Sequence, residues 1–145
     1  MKKYKIALVA HDSRKSEMIE WCKFNAKTLE NYDLVATGTT SKLINEETGL
    51  NTIGLLSGPL GGDQQIGAMI ATGDIDILIF FCDNLVTQGH QQDVSALSRL
   101  ASLYNIPFAS NRTTADMILT SPLLNDPNYD RIIPSAIEKY KNRFV

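Results

Sequence analysis

Short apolar runs rich in β-branched residues alternate along this chain with longer segments of helical period, and that alternation restricts it to βα units laid around a parallel sheet. Five runs qualify as strands, at Lys5–Ala10, Leu34–Ala36, Thr52–Leu55, Ile75–Phe81 and Pro107–Ala109. The fourth is apolar on both faces, as a central strand covered on both sides must be. Helices are expected at Ser16–Leu29, Ser41–Glu47, Gln64–Thr72 and Asp93–Tyr104, then near Thr113–Leu119 and Ser135–Arg143. Asp93 has N-cap chemistry, and Pro107 fits a strand entry just after a helix stop. Ser121 to Asn128, with two Pro and two Asn, reads as a surface loop before the terminal helix.

At 145 residues the chain has the length of one domain, spanning 1–145, and with 43% hydrophobic residues it can bury a real core. Fourteen Lys and Arg against sixteen Asp and Glu leave a net charge of -2. No global positive field therefore draws nucleic acid or an anionic membrane, and any phosphate site has to be local. The longest uninterrupted apolar run, Ile77 to Cys82, is six residues, far short of the roughly 20 a membrane-spanning helix needs. The stretch Ile6 to Ala10 is shorter than a signal-peptide core of ~7–15 residues and runs into His11-Asp12, so export is not expected. Cys22 and Cys82 lie far apart without Cys-x-x-Cys spacing, which suggests neither a disulfide framework nor a zinc site. A reduced, cytoplasmic protein is the expectation.

Open parallel sheets bind ligands at the carboxyl ends of their strands. Here those ends carry His11-Asp12, Thr37-Gly38-Thr39-Thr40, Ser57-Gly58-Pro59 with Gly61-Gly62-Asp63, and Asp83 followed by His90 and Asp93. The Thr-Gly-Thr-Thr segment lies between a strand and a helix, where backbone N–H groups and hydroxyls can face an anion. Ser57-Gly58 offers a second such turn, and Lys15 a positive charge. Either turn taken singly is also explained by helix capping, as is Asp63, although capping leaves the preceding Gly-Gly without a purpose. Those glycines would permit a sharp turn and let substrate approach the backbone. His90 and His11 have imidazoles suited to proton exchange at a substrate oxygen, while His11 equally fits a mere strand end. If Asp12, Asp63, Asp83 and Asp93 share one pocket, repulsion and desolvation should raise the pKa of at least one of them.

Taken together, Ala7-Leu8-Val9-Ala10-His11-Asp12, Ala36-Thr37-Gly38-Thr39-Thr40, Leu56-Ser57-Gly58-Pro59, Gly61-Gly62-Asp63-Gln64-Gln65, Ile79-Phe80-Phe81 and His90 with Asp93 resemble the methylglyoxal synthase family over essentially the whole chain. Gly-Gly-Asp-Gln-Gln is the most specific of these segments. The resemblance implies an α/β fold, a Rossmann-like three-layer α/β/α sandwich with a five-stranded parallel sheet. It implies a homohexamer that needs no metal or organic cofactor, and a lyase that turns dihydroxyacetone phosphate into methylglyoxal and inorganic phosphate. Asp63 would then be the base, His90 the proton shuttle, Asp93 an assisting carboxylate, and Asp12 and Asp83 further acidic members of the site. Phosphate binding would fall to His11, Lys15, Thr37, Thr39, Thr40, Ser57 and Gly58, with inorganic phosphate as inhibitor. Arg143 matches a family arginine linked to phosphate binding and subunit communication.

The chain departs from the family pattern around the central strand's exit. Cys82-Asp83-Asn84-Leu85 replaces Trp-Asp-Pro-Leu, and Gly89-His90-Gln91-Gln92-Asp93 replaces Pro-His-Asp-Pro-Asp, which predicts a freer loop. Two other readings compete. A non-catalytic module binding anionic effectors on the same sheet edge needs the cradle but not Asp63, His90 and Asp93 together. A flavodoxin-like mononucleotide binder needs a hydroxyl-rich loop after the first strand, for which His11-Asp12-Ser13 is a poor substitute.

Overall fold

The computed structural model of the chain describes residues 3–85 and 91–144. Strands β1 (Lys5–Ala10), β2 (Asp33–Thr37), β3 (Ile53–Leu55), β4 (Ile77–Phe81) and β5 (Phe108–Ala109) form one parallel sheet in the order β3-β2-β1-β4-β5. Strand β1 pairs on both sides, Leu8 lying opposite Ala36 of β2 and Ile79 of β4. Helices α1 (Lys15–Phe24), α2 (Ala26–Leu29), α3 (Gly38–Thr48), α4 (Gly62–Ala71), α5 (Gln91–Leu103), α6 (Arg112–Thr120) and α7 (Ser135–Lys141) follow in chain order.

Strand periodicity sorts the core into two layers. Ile6, Leu8, Leu34, Ala36, Ile77, Ile79 and Phe81 face one side, where Met18, Trp21 and Cys22 of α1, Ile44 of α3, and Ala115 and Leu119 of α6 cover them. Ala7, Val9, Val35, Leu78 and Phe80 face the other, beneath Ile66 and Ile70 of α4 and Leu97 and Ala101 of α5. The result is the three-layer α/β/α sandwich with a five-stranded parallel sheet that the sequence leads one to expect. Right-handed crossovers explain the sorting: the chain steps outward from β1 to β3 with helices on one face, then returns to β4 and β5 with helices on the other.

Three local expectations need correction. The helix expected over Ser16–Leu29 breaks at Asn25, where φ -104° and ψ 17° leave the helical region and the side-chain amide turns back to donate to Trp21 O at 3.0 Å. Helix α5 begins at Gln91, which puts Asp93 in the first turn rather than at the N-cap. The expected Ser41 start of α3 moves forward to Gly38, so Gly38-Thr39-Thr40 is the first helical turn.

Ile79 is fully buried at the centre of the sheet. Ile79→Ala is expected to lower unfolding free energy by about 2–5 kcal/mol, read from the urea midpoint at unchanged m-value.

Candidate functional site

The sheet order reverses between β1 and β4, and the helices that follow these neighbouring strands lie on opposite faces. A cleft of about 230 Å³ opens above this switch point, lined by His11, Asp12, Ser13, Lys15, Thr37, Thr39, Thr40, Ser57, Gly58, Asp63, Phe80 and Asp83 among others. Ten residues read from the sequence as site candidates thus meet in one place, contributed by four strand ends and the start of α4.

The hydroxyls of this cleft are not spent on capping. Thr37 is the N-cap of α3 and Ser57 the N-cap of the short turn Gly58–Leu60, yet neither side chain bonds a helix N–H. Thr40 is 1% exposed, and its Oγ1 has no hydrogen-bond partner among the described residues. A buried hydroxyl without a partner costs about 1–3 kcal/mol, so its presence beside the first-turn N–H groups of α3 points to an anionic ligand. Lys15 reaches the same cleft with Nζ 2.8 Å from Asp12 Oδ1.

Asp63 is not a cap either. Gly61, at φ 114°, is the N-cap of α4, and Asp63 lies inside the first turn, 6% exposed. A Cβ built on Gly58 would lie 3.4 Å from Asp63 Oδ2, which places the carboxylate against the serine-glycine turn. The second glycine is required by the protein itself rather than by substrate: a Cβ on Gly62 would lie 1.9 Å from Leu56 O.

His11 leaves β1 with its ring edge-on to Phe80, centroids 5.1 Å apart. The Asp83 backbone N–H donates to His11 Nδ1 at 2.8 Å. Because Nδ1 accepts, the neutral ring carries its proton on Nε2. Asp83 is held in turn, Oδ2 accepting from Ser13 Oγ and Oδ1 from the Leu85 N–H at 2.9 Å. Ser13 and Phe80 are thus site residues the sequence reading did not select. Ser13 directly follows the chosen His11-Asp12, and Phe80 stands in β4 beside Val9, so adjacency and register were the signals available.

Two candidates lie elsewhere among the described residues. Asp93 accepts from Gln64 Nε2 at 3.1 Å and borders, with Asp63, a shallow groove between α4 and α5. Arg143 is exposed on the short turn Asn142–Phe144, its guanidinium 4.7 Å from the Tyr140 ring centroid. His90 falls outside the described residues. Burial pushes the Cys22 thiol up to about 12 and the Cys82 thiol up to about 11, with Arg14 opposing the shift at Cys82, so both are protonated at neutral pH and neither is a nucleophile. Among the described residues no three His, Cys, Asp or Glu side chains gather to hold a metal ion, and no helix is long and apolar enough to cross a membrane.

Comparison with known proteins gives a consistent answer. The MGS-like domain family matches residues 17–110. A methylglyoxal synthase of Clostridium acetobutylicum is 52% identical over 142 residues, 98% of each chain, and one of Proteus mirabilis is 54% identical over 127 residues, covering 88% of this chain and 84% of its own. The crystal structure of methylglyoxal synthase from Elizabethkingia anophelis superposes with a TM-score of 0.80 at 46% identity, over 91% of this chain and 93% of that one.

The ring state of His11 is directly measurable. Nitrogen-15 spectra at neutral pH are expected to give a pyridine-type Nδ1 and a pyrrole-type Nε2; the reverse pattern, or two pyrrole-type nitrogens, would contradict the Asp83 contact.

Proposed function

This chain belongs to the MGS-like domain family, and from that premise we propose that it is a methylglyoxal synthase, a carbon–oxygen lyase that converts dihydroxyacetone phosphate to methylglyoxal and inorganic phosphate. The observation that carries the reading is the contact of a buried carboxylate, Asp63, with a hydroxyl-lined turn whose Thr37 and Ser57 side chains have no capping role.

Thr37, Thr39, Thr40, Ser57, Gly58 and Lys15 hold the phosphate. Asp63 takes a proton from C3, and the electron pair moves through C2 to the carbonyl oxygen, giving an enediolate. His11, with its proton on Nε2, is suited to donate to a substrate oxygen and is poorly suited to act as the base. His90 and Asp93 carry protons in the later steps, while Asp12 and Asp83 hold Lys15 and His11 in place. Loss of the C3 hydroxyl proton then turns that carbon into the aldehyde, and the π pair shifts toward the phosphate-bearing carbon as the bridging C–O bond breaks. Phosphate departs with the bonding pair and the enol of methylglyoxal remains. That bond must stand parallel to the enediolate π system, so the cradle sets a dihedral angle as well as an affinity.

The reaction draws on this chain's own side chains and backbone N–H groups. Inorganic phosphate fits the cradle as product and so competes with substrate. The homohexamer and the subunit-linking role of Arg143 implied by the family resemblance, together with one domain over 1–145, complete the proposal.

Purified protein with dihydroxyacetone phosphate and no added metal is expected to release methylglyoxal and phosphate in equal amounts. Asp63→Asn should lower kcat by about 10²–10⁴-fold, the usual worth of a general base. Phosphate binding without turnover in the unaltered protein would instead make this an effector-binding module. Thr40→Val should lower kcat as well as affinity, because the grip orients the scissile bond. The same change should raise the stability of the phosphate-free protein by about 1 kcal/mol, since it removes a buried hydroxyl without a partner. A Thr40→Val effect confined to KM would argue against an orienting role.

A further inference from the structure

The Gly-Gly-Asp-Gln-Gln segment contains a residue that the reaction above does not use. Gln65 stands two positions beyond Asp63 on α4, with its side chain directed back to the exit of β3. Its Oε1 accepts the Leu56 backbone N–H at 2.8 Å. The Leu56 carbonyl in turn receives the Gly38 N–H at 3.4 Å, at the first turn of α3. It also lies so close to Gly62 that a Cβ there would come within 1.9 Å. The backbone of this one residue is therefore held between the helix that carries the carboxylate and the helix that opens the anion cradle.

Strand β3 is an edge strand, paired through Val35, Ala36 and Thr37 of β2 alone. Leu56 lies beyond the paired residues of this ladder, and its N–H is held instead by Gln65. Ser57 comes next in the chain, and its carbonyl receives the Gly62 N–H at 3.0 Å. The Gly62 bond anchors Ser57 to the start of α4 and the Gln65 bond anchors Leu56 one turn further along, so loss of the second leaves the Ser57-Gly58 turn to pivot about the first and alters its spacing from Asp63.

We propose that Gln65 is a positioning residue: by tying Leu56 to α4 it sets the spacing between the Asp63 carboxylate and the phosphate cradle. This rests on the lyase reading of the cleft. The cradle's own parts, α3 and the Ser57-Gly58 turn, keep their contact through Gly38 and Leu56 when Gln65 is lost, so phosphate binding should survive where proton transfer does not. A misplacement of about 1 Å is enough to cost a reaction of this kind up to about 100-fold.

Gln65→Met keeps the length and flexibility of the side chain but removes the acceptor oxygen; Gln65→Glu keeps an acceptor. The expected result is a fall in kcat of about 10- to 100-fold for Gln65→Met and recovery of most of it in Gln65→Glu. Inorganic phosphate affinity, measured by calorimetry, should stay within about twofold in both, because the grip on the anion is not altered. Unaltered kcat in Gln65→Met, equal loss in Gln65→Glu, or phosphate affinity falling in step with kcat would each overturn the proposal. Failure of the unsubstituted protein to turn over dihydroxyacetone phosphate would overturn the lyase reading, and the proposal with it, a result the unsubstituted protein alone reveals.

Discussion

The pairing of β1 with strands on both sides is the constraint from which the rest of the molecule follows. With β2 on one flank and β4 on the other, right-handed crossovers oblige α1 and α3 to cover one face and α4 and α5 the opposite face. The loops leaving β1 and β4 therefore part, and the gap between them is the cleft. His11 and Asp83 stand on its two lips, joined by one hydrogen bond from backbone to imidazole. Apolar register, which buries Leu8 against Ile79, is thus also what brings the polar strand ends into a common space.

Much of this was readable in the sequence because it depends on local patterns. Unbroken apolar composition marked β4 as central, and β1 keeps the limits Lys5–Ala10 that its run of residues suggests. Strand ends gather at one edge of any parallel sheet, so ten of the candidate residues are placed together by the sequence pattern alone. What could not be read depends on which polar atoms meet once the backbone is folded. Asn25 interrupts a periodic segment through a bond to Trp21 that no apolar pattern signals. The place of Ser13 at the site follows from its bond to Asp83, 70 positions away. The purpose of Gly62 looked like room for substrate, whereas the atom it makes room for is the carbonyl of Leu56.

Buried and half-buried polar groups away from the cleft stiffen the framework under it. Ser41, Asn45 and Thr52 form a closed set: Ser41 Oγ lies 2.7 Å from Thr52 Oγ1, and Asn45 Oδ1 accepts both the backbone N–H and the hydroxyl of Thr52 at 2.8 Å. These contacts fasten α3 to the start of β3, so the two segments that present threonines and serine to an anion share one support. Such networks hold their geometry firmly when every member is satisfied.

The outer strands of the sheet are very short, three residues in β3 and two in β5. A rim so abbreviated presents an approaching chain with almost no row of open N–H and C=O groups, and on the β3 side the Leu56 N–H is already taken by a glutamine. Copies of this molecule consequently have little means of joining sheet to sheet. Assembly is left to side-chain surfaces, where association depends on shape and can be limited in number, rather than to strand addition, which repeats without end.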